Sequence, residues 1–570
     1  MEKYLKEYTR WQKQTLPPDL AEELEAIRAD QEEIYDRFCR TIAFGTSGLR
    51  GKMGVGTNRI NSVILRQITR AIGRYLTERY EKPAMVIGWD TRRNSREYAQ
   101  VTAEAFAKSG VNVYLFSEPT PVPVVSFAVR HLRINGGVMI TASHNAKEYN
   151  GYKVYDHYGN QIDDKKAELI EAYLAREETF LPNAAQDLTD GEKAGTIFFL
   201  EEEIKTAYLQ ALQANTLWWD TPARCRERLA SLSVCYTPLN GTGRDFVLSA
   251  LAQLGICQLD LVQTQEAPDG TFPTCPSPNP EYPKTFDEAL RTCRAIAAEG
   301  GALPDLILAT DPDSDRLGVM VLHEEAYRQL SGNQVGELLL DYVCRVHSAG
   351  IGDRALDGRD VMVKSIVSSP LTEDIAEAYG VQVKNVFTGF KNIAAEMQKL
   401  KRPESEKRFL FGFEESLGYL YGDYTRDKDG ILTAQMVCLA AAQLKAEKRT
   451  LVDRLEELYQ CYGYLASRTF SVYYHSEAER QTIQRQMQRL FADGLKRDGF
   501  AVKKELCYRN PPLYCADLDD DARIIVRPSG TELKLKTYIF SRGQNAQEAE
   551  ATADDYCMRM RKKWKEEEIL

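Results

Sequence analysis

The chain has 570 residues, more than one compact domain holds, and 43% are hydrophobic against 27% charged, which excludes wholesale disorder. Lys and Arg number 73 against 83 Asp and Glu, a net charge of −10, so no broad positive field exists to hold a nucleic-acid backbone. No apolar run is long enough to span a bilayer, and a phosphorylated ligand would need a local basic site.

The N-terminal MEKYLKEYTRWQKQT lacks the apolar core of a secretion signal and reads as an amphipathic helix. Leu20, Leu24, Ile27 and Ile34 continue the helical spacing, so the first forty residues form a helical lead-in. The twelve cysteines are scattered with no C-x-x-C, which favours buried thiols in a reducing, cytoplasmic setting over structural zinc or disulfides.

Short apolar runs then alternate with helical stretches, the rhythm of βαβ units. Strand-like runs fall at 85–90, 111–116 and 136–142, again at 232–237, 259–263 and 306–310, and again at 361–367, 381–387 and 408–413. Each third run ends in a polar loop: TASHN at 141–145, DPDSDR at 311–316 and EES at 414–416. Ligands of open α/β sheets collect at the carboxyl ends of strands, so the loops suggest one composite site between domains. The Gly- and Pro-rich stretch 267–283 reads as a loop. The last hundred residues, with runs at 469–474 and 522–540 before a charged helix, read as a smaller α+β domain.

TASHN offers Ser143 as a nucleophile beside His144, although a capping turn could use the same pair. It is not a G-x-S-x-G elbow, so acyl transfer is not indicated. Lys153 stands on a second strand-like run that could return to this loop. In DPDSDR, Asp311, Asp313 and Asp315 alternate, and in an extended loop they would turn inward on one hard cation. Three uncompensated like charges on a surface turn would repel, and an EF-hand is excluded by Arg316 and Leu322 at its sixth and twelfth positions.

RPSGTE (527–532) combines a guanidinium, hydroxyls and a flexible glycine, a set suited to a phosphate dianion. FGTSGLRGKMG (44–54) is no P-loop, because Met53 replaces the magnesium-binding hydroxyl and the glycine spacing differs. Glu414 and Ser416 would share one face if extended and could grip vicinal sugar hydroxyls. Lys428 in TRDKDG, and Thr388 and Lys391 in TGFK, could add phosphate or sugar contacts. Taken together these loops describe phosphoryl transfer on a sugar phosphate, chemistry that rests on positioning and charge neutralisation.

The four loops TASHN, DPDSDR, G-F-E-E-S and RPSGTE, in this order, resemble the α-D-phosphohexomutase superfamily. The resemblance runs from about Phe44 into the C-terminal domain and includes G-x-D-x-R (Gly88, Asp90, Arg92), TPLNGTG (237–243) and the Asn279–Glu281 tripeptide. It implies an α/β protein of four domains around a central cleft, three sharing one mixed-sheet topology and the fourth a smaller α+β domain. The boundaries expected are 1–40 for the lead-in, then 41–215, 216–330, 331–455 and 456–570.

The resemblance further implies that Ser143 is phosphorylated and joins Asp311, Asp313 and Asp315 in binding Mg²⁺. The phosphoryl group would pass to a hexose monophosphate, with glucose 1,6-bisphosphate as intermediate and activator. Arg50, His144 and Lys153 match positions that assist proton transfer or charge balance; the base is not singled out, though a guanidinium does not deprotonate. Thr46, Arg316, Thr388, Gly389, Glu414, Ser416 and Lys428 match substrate-binding positions, and Arg527, Ser529, Gly530 and Thr531 match the phosphate clamp.

E-E-S resembles the glucose-directed members, and the long lead with G-T-S-G-L-R-G resembles the phosphoglucomutase/phosphopentomutase-type branch. The expected reaction is interconversion of glucose 1-phosphate and glucose 6-phosphate. The alternatives are a pentose- or mannose-directed mutase, a phosphatase, or a silent sugar-phosphate binder, the last disfavoured by retention of the serine and all three aspartates. Small-molecule sugar phosphates are the only partners expected, with no nucleic acid, membrane or obligate protein partner. Ala146 departs from the family, standing where proline commonly follows S-H-N.

Overall fold

The computed structural model describes residues 2–45, 48–180, 195–351, 354–473, 477–529 and 534–566. Three helices, Lys3–Gln12, Pro18–Ala26 and Gln31–Phe38, open the chain, each burying one apolar face. Asp30 caps the third by accepting the N–H groups of Glu32 and Glu33 at 3.1 and 3.0 Å. Trp11 is fully buried edge-on to Phe38 and Phe180, and burial of such a side chain contributes about 3 kcal/mol. These helices share one core with Leu49, Ile87 and Ile140, so the lead-in is a cover on the first α/β unit.

The first sheet holds β1 (Gly48–Lys52), β2 (Ala84–Trp89), β3 (Asn112–Phe116), β4 (Gly136–Ile140), β5 (Tyr149–Asp156) and β6 (Ile197–Leu200), in the order β1-β5-β4-β2-β3-β6. The second holds β7 (Ser233–Thr237), β8 (Gln258–Leu261), β9 (Leu306–Thr310), β10 (Leu317–His323) and β11 (Ala326–Leu330), in the order β11-β10-β9-β7-β8. The third holds β12 (Asp360–Ser365), β13 (Gln382–Val386), β14 (Arg408–Glu414) and β15 (Gly418–Tyr421), in the order β13-β12-β14-β15.

One plan recurs in these sheets. A first strand (β2, β7 or β12) lies between two parallel partners, and the later of these (β4, β9 or β14) is followed by an antiparallel neighbour (β5, β10 or β15). The loops carrying TASHN, DPDSDR and EES all fall at this parallel-to-antiparallel reversal. The central strands β2, β4, β9 and β12 are buried along their whole length, which is why they read as continuous apolar runs.

The fourth sheet is antiparallel: β16 (Tyr464–Tyr473), β17 (Val502–Arg509), β18 (Pro512–Leu518), β19 (Arg523–Pro528) and β20 (Lys534–Gly543), ordered β16-β20-β19-β18-β17. With the helices Glu477–Asp493 and Ala546–Glu566 it forms the α+β unit expected. The β17–β18 hairpin and the first of these helices were not foreseen. Strand β17 exposes most of its side chains, so its apolar alternation is faint. The helix Leu451–Tyr462 runs through the expected 455/456 division, and the chain turns at Gly463 (φ 92°) before β16.

Candidate active site

The loop after β4 carries Ser143 with φ 52°, a left-handed conformation in which non-glycine residues are uncommon. Several groups hold it there. Thr141 Oγ1 accepts the Ser143 N–H at 2.8 Å and donates to Asp313 Oδ2 at 3.1 Å. Buried Arg92 donates to the carbonyl oxygens of Ser143 at 2.6 Å, Ala146 at 2.9 Å and Tyr149 at 3.1 Å, and also to that of Asn145. Arg92 is itself paired with buried Asp90 at 3.3 Å. Ala146, the departure from the family pattern, thus lies within the clasp, and its carbonyl also accepts the Tyr149 N–H at 3.0 Å.

The second loop brings Asp311, Asp313 and Asp315 together, all buried, with one oxygen of each within 4.8 Å of the others. Extended alternation is not the cause. The loop is a tight turn in which Ser314 adopts φ 55° and its N–H bonds to Asp311 O at 2.9 Å. Ser143 Oγ donates to Asp311 Oδ2 at 2.7 Å and meets His144 Nδ1 at 3.2 Å.

Lys153 reaches Asp313 Oδ2 at 2.9 Å and Asp315 Oδ2 at 3.2 Å, while Lys428 meets the same Asp315 oxygen at 3.0 Å. Asp313 Oδ1 and Asp315 Oδ1 are buried without a hydrogen-bond partner among the described residues. Free buried carboxylate oxygens beside a serine hydroxyl form a hard-oxygen donor set that fits a divalent cation.

The electrostatics follow from burial and crowding. Burial, then Asp313 and Asp315, push the Asp311 carboxyl well above its ordinary range. For Asp315 burial is outweighed by Lys428, Lys153 and Arg316, which hold it below that range. Burial would lower Lys153 and Lys428, but the carboxylates around them win and both stay above the usual ammonium value. Burial, then Arg316, Arg50, Arg92 and Lys428, hold His144 well below the usual imidazole range, so it is neutral.

Arg50, on β1, donates to Asn145 Oδ1 of the serine loop at 3.1 Å. Arg316 faces Glu281 at 3.5 Å, Asp315 at 3.8 Å and Asp311 at 3.9 Å. Glu414 ends β14 within 3.8 Å of Lys428, and burial raises its carboxyl. Ser416 is not on one extended face with it: Glu414 pairs with Gly418, leaving Glu415–Leu417 as a three-residue reversal with Leu417 at φ 64°. The third loop is too short to stay extended.

Two groups of expected residues stand apart from this centre. Thr388 and Gly389 precede the helix Phe390–Leu400, whose Lys391 pairs with Asp164 at 2.7 Å. Arg527, on β19, donates to Tyr538 OH at 3.0 Å, and its buried Nε has no hydrogen-bond partner among the described residues. Ser529 donates its N–H to Lys534 O at 2.8 Å. Thr46, Gly530 and Thr531 lie outside the described residues.

Known proteins share much of this sequence and its domain order. The phosphoglucomutase/phosphomannomutase α/β/α domains I, II and III match residues 41–180, 206–324 and 331–462. The phosphoglucomutase of Staphylococcus epidermidis is 34% identical over 527 residues, 89% of this chain and 92% of its own. That of Staphylococcus aureus is 33% identical over 530 residues, 89% and 91% of the two chains. The chain belongs to the α-D-phosphohexomutase superfamily.

Two solved folds of the superfamily superpose with a TM-score of 0.67 at 17% identity. They are a phosphoglucomutase/phosphomannomutase family protein from Burkholderia thailandensis, with 92% of this chain and 97% of that one covered, and the open form of parafusin, a phosphoglucomutase from Paramecium, with 92% and 95% covered. Within this phosphohexomutase frame, sequence reasoning named Asp90 and Arg92 without a task and passed over Thr141, Tyr155, Asp427 and Asp429. The signal for the last two was present, since Lys428 stands between two acidic residues in a loop that is otherwise polar.

Proposed function

We propose that this chain is a cytoplasmic phosphoglucomutase that interconverts α-D-glucose 1-phosphate and glucose 6-phosphate through a phosphorylated Ser143. The observation that carries this reading is Ser143 Oγ, 2.7 Å from Asp311 and 3.2 Å from a neutral His144, at a buried three-aspartate centre.

In the forward direction the bond from Ser143 Oγ to phosphorus breaks and one to the free sugar hydroxyl forms. The hydroxyl proton passes to His144 through its open nitrogen lone pair, and His144 in turn gives the proton of its Nδ1, 3.2 Å away, to the departing Ser143 Oγ. Lys153 stays an ammonium and balances charge on the transferring group. The 1,6-bisphosphate then returns its other phosphoryl to Ser143, so glucose 1,6-bisphosphate also serves as the priming activator. Asp311, Asp313, Asp315 and the seryl phosphate would hold Mg²⁺, which supplies Lewis-acid neutralisation of phosphoryl charge.

Glu414 and Ser416 grip the sugar hydroxyls with Lys428 and Arg316 beside them, and Thr388 and Gly389, ahead of the helix Phe390–Leu400, would add sugar contacts. Arg50 braces the serine loop. Arg527 offers its unpartnered Nε, with Ser529, to the phosphate that does not react. The E-E-S loop supports glucose over pentose or mannose.

Phosphorus NMR with Mg²⁺ and a trace of glucose 1,6-bisphosphate tests the reading on glucose, mannose and ribose 1-phosphates in parallel. Glucose 6-phosphate should grow fastest. Faster ribose conversion would overturn the choice of sugar, release of inorganic phosphate would indicate a phosphatase, and no conversion would leave a binding protein.

A further inference from the structure

Lys428 touches the aspartate centre from the third α/β unit, and its surroundings are built to a degree that a single substrate lysine does not require. Its stem passes over Gly418, where an added Cβ would lie 2.3 Å from Lys428 Cδ. Its flanking acids are both fully buried and both held by phenols. Asp429 Oδ2 accepts from Tyr208 OH at 2.6 Å and Tyr424 OH at 2.5 Å, while Oδ1 caps the helix Gly430–Lys445. The Gly430 N–H then bonds to Ser314 O at 3.1 Å, tying this loop to the aspartate turn.

Asp427 is held from the other side. Its Oδ2 accepts from Tyr155 OH at 2.9 Å and Gln161 Nε2 at 2.7 Å, and its Oδ1 accepts the N–H of Lys428. Tyr155 is two residues from Lys153 on β5, so strand alternation puts both side chains on the face that meets the centre. Burial, then Asp427, push the Tyr155 phenol well above its ordinary range, so it remains a donor.

We propose that Tyr155 is a positioning residue that acts through Asp427 to hold the Lys428 ammonium on Asp315 and Glu414. A strand of the first unit thereby sets the lysine of the third unit at the metal-binding turn of the second. Gln161 supports the same carboxylate. The inference rests on the mutase reading for its kinetic consequence, but its structural content stands apart from that reading.

The test is a double-mutant cycle on full-length protein with Tyr155→Phe and Lys428→Met, reading kcat and KM for glucose 1-phosphate beside thermal unfolding. Tyr155→Phe keeps the buried ring and should lower kcat about tenfold. The double variant should be no slower than Lys428→Met alone. A further tenfold loss in the double variant, or a lowered unfolding temperature with kcat unchanged, would overturn the proposal. Gln161→Ala, at a partly exposed side chain, should reproduce a smaller loss that is again absent beside Lys428→Met. A crystal structure of Tyr155→Phe decides the matter without activity: Lys428 Nζ still within hydrogen-bond distance of Asp315 would refute it. Failure of the wild-type chain to turn over any sugar phosphate would count against the mutase reading instead.

Discussion

The Arg92 guanidinium donates to the main-chain oxygen of Ser143 at 2.6 Å, so this serine is held by its backbone while its hydroxyl bonds to Asp311 and meets His144. Three further carbonyls of the same loop bond to Arg92. A fork of five N–H groups is needed for this, and an ammonium cannot span the four oxygens.

Arg92→Lys should therefore retain the buried positive charge beside Asp90 yet release the loop. A serine displaced by about 1 Å costs on the order of 10²-fold in rate. Steady-state kinetics should show that loss mainly in kcat. An unchanged kcat would mean that the clasp does not set the serine.

Ser143→Ala removes the atom proposed to carry the phosphoryl group and leaves the main-chain bonds of the loop intact. Turnover should fall by about 10³-fold or more with the unfolding temperature preserved. Phosphorus NMR and thermal unfolding on the same preparation check both halves. Full activity in this variant would discard the phosphoserine route.

Excess chelator should stop turnover, and added Mg²⁺ should restore it, because Asp313 Oδ1 and Asp315 Oδ1 have no hydrogen-bond partner among the described residues. Asp313→Asn should lower affinity for Mg²⁺ measured by calorimetry. A rate that survives chelation would remove the metal assignment.

Glu337 predicts a pH dependence of stability away from the reacting centre. It is buried, accepts from Ser369 Oγ at 2.5 Å, and burial pushes its carboxyl up to about 7 from 4.5. Below pH 4.5 folded and unfolded chains both carry the proton. As pH rises toward 7 the unfolded chain loses it first, so stability falls, by about 3 kcal/mol in all. Glu337→Gln should abolish that part of the slope. Urea unfolding at pH 5 and pH 8 measures it, and equal slopes in both proteins would contradict the assignment.

Much of the architecture was legible because its strands are buried on both faces and so appear as apolar runs ending in polar loops. That Ser143 and the three aspartates come together was legible because phosphoryl transfer draws on those residue types. The conformations were not. Ser143, Ser314 and Leu417 all take positive φ, which side-chain chemistry does not announce. Arg92 acts on main-chain oxygens, and such a role leaves no complementary residue to find. Tyr155 and Asp427 lie 272 residues apart, and only the packed units bring them together.

Strand β5 joins these relationships: it pairs with the Arg50 strand, delivers Lys153 to the aspartates and Tyr155 to Asp427. Every second side chain of a strand faces the same way, so a one-residue insertion between 149 and 153 would turn both groups outward together. The turn at 157–160 is held as well: Gly159 O accepts from Ser126 Oγ at 2.7 Å and Tyr158 O from Arg130 at 3.1 Å, ahead of Gln161 on Asp427. Length variation in distant relatives should therefore be absent from the strand and the turn that follows it, a pattern that marks which chains keep both groups in place.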